Sequence, residues 1–183
     1  MTIEVDIKRI LLTTITCVIL AVIPLTISTT ESFYPFLVPL LFSVAVTLTN
    51  FDKIVTRKKY QAFLLSAMLT VILFFVSVPL ALFFGQTFLG KYSVFAICVL
   101  SGILALTMNS IFIKIDNLKF GLLLTGLLAL SIPPLTTFLK GQTILGFVFF
   151  GDPATFFIIW QLVIGLAIAI SIWTKTSTKT ENN

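Results

Sequence analysis

The sequence predicts an all-α integral membrane protein with six transmembrane helices in a single bundle. Three observations carry that prediction. Of the 183 residues, 58% are hydrophobic and 10% are charged, with a mean hydropathy of +1.13; a soluble domain carries about a quarter charged residues. Six apolar stretches of membrane-crossing size occur, at 10–30, 34–50, 61–84, 92–113, 120–139 and 153–174. The twelve basic and seven acidic residues all fall outside those stretches.

A bilayer core about 30 Å thick takes roughly 20 residues of helix. The six stretches therefore fill the chain, and residues 1–183 read as one membrane domain with no room for a soluble one. The first begins after Asp6, a helix N-cap candidate, and after Lys8 and Arg9. Its apolar run is long and Ser28-Thr29-Thr30-Glu31 is a poor cleavage site, so it reads as a retained helix and not a signal peptide. The second, 34–50, is the shortest. A basic linker, Phe51-Asp52-Lys53-Ile54-Val55-Thr56-Arg57-Lys58-Lys59-Tyr60, joins it to the third and is suited to anionic headgroups.

Gly85 follows the third stretch and Gly141 the fifth, where a left-handed residue is wanted. Asp116 is placed to cap the fifth, and Asp152-Pro153 forms a cap followed by a first-turn proline for the sixth. Residues 142–150 are apolar but too short to span, and read as an external segment dipping into the interface. Residues 175–183 read as a short disordered tail. Tyr34, Tyr60, Tyr92 and Trp173 lie at span ends, as an interfacial belt requires, whereas Trp160 is deeper and suited to packing.

Six crossings put both termini on one side. That side holds Lys8, Arg9, Lys53, Arg57, Lys58, Lys59, Lys114, Lys119, Lys175 and Lys179; the other holds only Lys91 and Lys140. Positive charge marks the cytoplasmic face, so a cell-membrane location with both termini cytoplasmic is expected. The net charge of +5 is then a record of insertion, and no nucleic-acid binding is inferred from it.

Pro24, Pro79 and Pro133 recur at intervals of 55 and 54 residues, which suits a triplicated helical hairpin. On this threading all seven prolines lie in the outer half. Each removes a backbone donor and frees a carbonyl, so the outer half is expected to be kinked. Small or polar residues recur every fourth position at Ser43, Thr47 and Asn50 (the last step being three), at Ser101, Ala105 and Asn109, at Gly121, Thr125 and Ala129, and at Gln161, Gly165 and Ala169. Such stripes let membrane helices approach and hydrogen-bond.

Histidine is absent, and no charge lies within a span. This argues against His-dependent catalysis, proton relays and carriage of ionic substrates. Cys17 and Cys98 read as packing residues, and neither a metal site nor a cofactor is expected. The function expected is non-catalytic: binding or transport of a small neutral or lipid-like molecule, with Asn109 and Gln161 as candidate ligand contacts. The alternative is an accessory subunit, or a homo-oligomer, whose stripes face a membrane partner. A binder would direct Asn109, Gln161 and the proline-kinked segments into a shared cavity; an accessory subunit would turn its stripes outward.

Overall fold

The structure, a computed structural model, describes residues 2–27, 34–84, 87, 90–140, 143–144, 147–148 and 153–177. The described chain is overwhelmingly helical: α1 (Ile7–Ile27), α2 (Tyr34–Thr49), α3 (Lys59–Phe84), α4 (Ser93–Phe112), α5 (Leu118–Ala129), α6 (Ile132–Leu139) and α7 (Pro153–Trp173). Four segments, Lys59–Val76, Ser93–Phe112, Leu118–Leu139 and Thr155–Trp173, are long and apolar enough to cross a membrane. The 21 residues of α1 and the 16 of α2 correspond to the first two stretches. Ser28, Thr29, Thr30, Glu31, Gly85, Gly141 and Asp152 lie outside the described residues.

The helices pack in chain order around α7. Helix α1 meets α2, α2 meets α3, α3 meets α4, α4 meets α5, and α5 meets α7, which returns to α1. Helix α7 also touches α2, α4 and α6. The spans differ sharply in burial: 67% of the α7 window is buried, against 22% for α3. A helix apolar all round is an interior one, and α7 buries Ile159, Ile164, Ile168 and Ile172. The outer helices turn Leu11, Ile15 and Ile19 of α1, Leu64, Leu65, Met68 and Ile72 of α3, and Leu123 and Leu127 of α5 outward. In water such a surface would be an aggregation liability; against lipid it is matched.

The expected fifth helix, 120–139, is two pieces. Pro133 and Pro134 supply no backbone N–H, and the helix breaks at Leu130 and Ser131. There the Ser131 N–H turns back to the Leu128 carbonyl at 3.0 Å, and the Ser131 hydroxyl donates to the same oxygen at 2.7 Å. Helix α3, by contrast, runs through Pro79 without interruption. The recurring prolines thus sit in unlike backbones.

Two further expectations are corrected. Asn117, not Asp116, caps α5: its side-chain oxygen accepts from the Phe120 N–H at 3.1 Å, while Asp116 pairs with Lys114 at 3.6 Å. Lys175, Thr176 and Ser177, expected in a disordered tail, belong to β4 (Thr174–Ser177), which pairs antiparallel with β1 (Thr2–Val5) in the register Thr2 to Ser177. Backbone pairing with a second segment orders what composition alone leaves solvated. Residues 178–183 lie outside the described residues. Asp6 caps α1 as expected, accepting from the Arg9 N–H at 3.1 Å. In the 142–150 segment, β2 (Thr143–Ile144) pairs antiparallel with β3 (Phe147–Val148).

The strands β1 and β4 and two loops meet on one face. The Asp6 N–H donates to the Trp173 carbonyl at 3.2 Å. Ile54 forms an antiparallel bridge with Ile113, flanked by Val55 N–H to Phe112 O and Lys114 N–H to Lys53 O, both 3.0 Å. At the centre, buried Asn50 accepts from the Trp173 indole N–H at 2.6 Å and donates to the Val46 carbonyl at 2.7 Å. Arg9 and Lys53 lie over the Trp173 ring at 5.2 and 4.7 Å, and Arg9 reaches Asp52 at 3.6 Å. Trp173 is therefore a clasp between α1, α2 and α7 more than a free belt residue. Tyr60 and Tyr92 remain exposed at their helix ends.

Candidate functional site

Helices α2, α3, α4 and α7 leave a narrow crevice between them. Its walls are Pro39 from α2, Thr70 and Phe74 from α3, Ser101 and Ala105 from α4, and Trp160 from α7. The spacings explain the placement. Thr70, Leu73 and Phe74 share one face of α3, and Ser101, Leu104, Ala105 and Met108 share one face of α4. Pro39, inside α2, has no N–H, so the α2 backbone makes one fewer internal hydrogen bond there.

The polar groups of the crevice are tied into the fold. The Trp160 indole N–H donates to Ser101 Oγ at 2.9 Å, Ser101 donates to the Cys98 carbonyl at 3.2 Å, and Thr70 donates to the Ser66 carbonyl at 2.8 Å. Phe42 stacks at a tilt on Trp160, centroids 5.0 Å apart. No wall residue is charged. The cavity measures about 20 Å³, room for about one water molecule. A larger guest needs the helices to part. Helix α3 packs mainly against α2 and α4, and most of its surface faces outward.

The two residues singled out from the sequence lie beside the crevice and not on it. Gln161 follows Trp160 on α7 and turns toward α2, where its Nε2 donates to the Val38 carbonyl at 3.0 Å. Asn109 lies one turn beyond Ala105, and its Nδ2 donates back to the Ala105 carbonyl at 2.7 Å. Both are fully buried, and Asn109 Oδ1 and Gln161 Oε1 have no partner among the described residues. Neither lines the crevice, and each amide nitrogen is tied to a backbone carbonyl. The residues that do meet, Thr70, Phe74, Ser101 and Trp160, carried only two signals: the stripe beginning at Ser101 and the deep position of Trp160.

The small-residue stripes face inward. A Cβ added at Gly121 would sit 2.9 Å from Ser171 Oγ, and one at Gly165 would sit 2.9 Å from Cys17 Sγ. Thr125, Ala129, Ala169, Ser43 and Thr47 are buried too. These faces are consumed by contacts within the chain. Among the described residues no group of three metal-ligating side chains comes together. Compared with known protein families, curated proteins and solved structures, the chain matches none.

Proposed function

We propose that this chain is a non-catalytic membrane protein, crossing the cell membrane six times with both termini cytoplasmic, that binds or passes a small neutral or lipid-like molecule through the crevice between α2, α3, α4 and α7. The observation that carries the reading is the crevice lining: uncharged, largely apolar, aromatic at two walls, with the Thr70 and Ser101 hydroxyl oxygens still able to accept a hydrogen bond from a guest. Pockets of this make-up suit guests with one polar end. The closed cavity is then the resting form, and α3 is the element that moves. The paired terminal strands support an even number of crossings, and the basic residues near them support a cytoplasmic face. The alternative, an accessory subunit, draws less support, since its stripes would have to face outward.

The test is intact-mass spectrometry of protein extracted in a mild detergent. Wild-type protein is expected to carry a neutral or lipid-like adduct. Ala105→Leu, which narrows the crevice, and Thr70→Val, which removes a hydroxyl at nearly constant volume, are expected to lose it while eluting as folded protein. An adduct kept equally by both variants, or none in wild type, refutes the reading. A C-terminal reporter fusion active only outside the cytoplasm refutes the threading.

A further inference from the structure

The basic linker after α2 is a shaped site and not a loose run of charge. Its backbone is held by the Ile54–Ile113 bridge and the two hydrogen bonds beside it, then turns at Thr56 and Arg57 into α3. Where it turns, Phe51, Arg57, Lys58, Lys59, Tyr60 and Gln61 enclose an open cleft of about 460 Å³, far roomier than the interior crevice. One wall is aromatic, with the Phe51 and Tyr60 rings 5.6 Å apart. Lys59 is fixed over that wall, its Nζ 5.4 Å from the Phe51 centroid and 3.3 Å from the Phe51 carbonyl. Arg57 and Lys58 are exposed and form no ion pair among the described residues. The nearest acid in the linker, Asp52, is engaged by Arg9. The cleft thus presents three cations, two of them uncompensated, at the mouth of an apolar helix.

We propose that this cleft binds the phosphate of an anionic lipid headgroup, with Arg57 and Lys58 as the phosphate ligands and Lys59, Phe51 and Tyr60 as the walls that seat it. The site rests on the membrane reading above, because only at the bilayer surface does a headgroup meet this cleft. Arg pairs two of its N–H groups with phosphate oxygens, and Lys adds a point charge. The first turn of α3 adds the positive end of its dipole. The lipid tails would then lie along the outward apolar face of α3, beside Leu64, Leu65 and Met68.

Protein is reconstituted into nanodiscs of phosphatidylglycerol and phosphatidylcholine in equal parts, released, and its retained lipids are counted by intact-mass spectrometry. Wild type is expected to retain phosphatidylglycerol in preference. Arg57→Gln with Lys58→Gln is expected to retain it about a hundred-fold less, roughly tenfold for each charge-assisted contact to phosphate lost. Both residues are exposed, so the variant keeps the fold. Lys8→Gln with Lys119→Gln removes as much charge elsewhere and is expected to retain lipid like wild type. If that control loses as much as the cleft variant, or if the cleft variant loses nothing, the site is overturned. Displacement of the lipid by millimolar inorganic phosphate would assign the cleft to free phosphate and overturn the lipid ligand. Ala105→Leu is expected to leave phosphatidylglycerol retention unchanged, so failure of the crevice does not count against the cleft. Release of the protein from native membranes by a carbonate wash would overturn the membrane reading and this site together.

Discussion

Gly165→Ala tests the close approach of α1 and α7. Helices α1 and α7 pack along much of their length, and Gly165 faces Cys17. A methyl group there would stand 2.9 Å from Cys17 Sγ and 3.1 Å from Cys17 Cβ. Carbon atoms in contact prefer about 3.5–4.0 Å. The sulfur can rotate away, but Cβ moves only with the backbone, so α1 and α7 must part by about half an ångström. Overpacking of that kind costs about 1–3 kcal/mol, and the better helix propensity of alanine returns up to about 1 kcal/mol. Gly126→Ala is the matched control, because its added methyl meets only Ile103 Cδ1 at 3.9 Å. The propensity gain is common to both variants and cancels. Gly165→Ala should therefore be the less stable of the two by about 1–3 kcal/mol. Thermal unfolding in detergent, followed by the fluorescence of Trp160 and Trp173, reads the difference. Adding Cys17→Ala should recover part of the loss by removing the sulfur contact. Gly165→Ala as stable as Gly126→Ala would show that the helices are not as close as described.

Four further outcomes are expected. Asn50→Ala removes the acceptor of the Trp173 indole and should cost about 1–3 kcal/mol, with a red-shifted emission; Trp173→Phe, which keeps a ring under Arg9 and Lys53, should cost less in the same unfolding assay. Asn109→Leu and Gln161→Leu each give up one hydrogen bond but also a buried oxygen with no described partner, so each should change stability by less than about 1 kcal/mol and leave the mass of any crevice adduct unchanged. Cys17 and Cys98 are fully buried, and a membrane-permeant maleimide should label neither until the protein unfolds. Asn117→Ala should lower the unfolding midpoint by the loss of a cap, about 1 kcal/mol, whereas Asp116→Ala should leave it nearly unchanged.

Helix positions were legible from the sequence because they depend on local composition. An uninterrupted apolar run of about 20 residues has one stable form in lipid, since every backbone group must be satisfied within it. The ends of α1, α2, α3, α4 and α7 therefore lie within a few residues of the expected ones. The break between α5 and α6 was underread, although Pro133-Pro134 announces it. A single proline such as Pro79 is absorbed, whereas two in succession remove adjacent donors. The Asp116 cap was misassigned by one residue, a scale at which helix ends depend on backbone angles that composition does not encode.

By itself the sequence determined that this is an apolar, helical, multi-segment chain with its charge gathered at the segment ends. Hydropathy and charge act locally and along the chain, so they can be read from it. Only the tertiary structure decided that α7 is the interior helix, that the small-residue stripes face inward, and that Asn109 and Gln161 lie beside the crevice instead of lining it. These are rotations of a helix about its axis. In a helix that is apolar on every side, no contrast between faces marks the rotation, and it is set by which neighbours the helix meets. The same holds for the basic cleft: its charges were visible in the linker, but its shape comes from a bridge between Ile54 and Ile113, residues far apart in the chain.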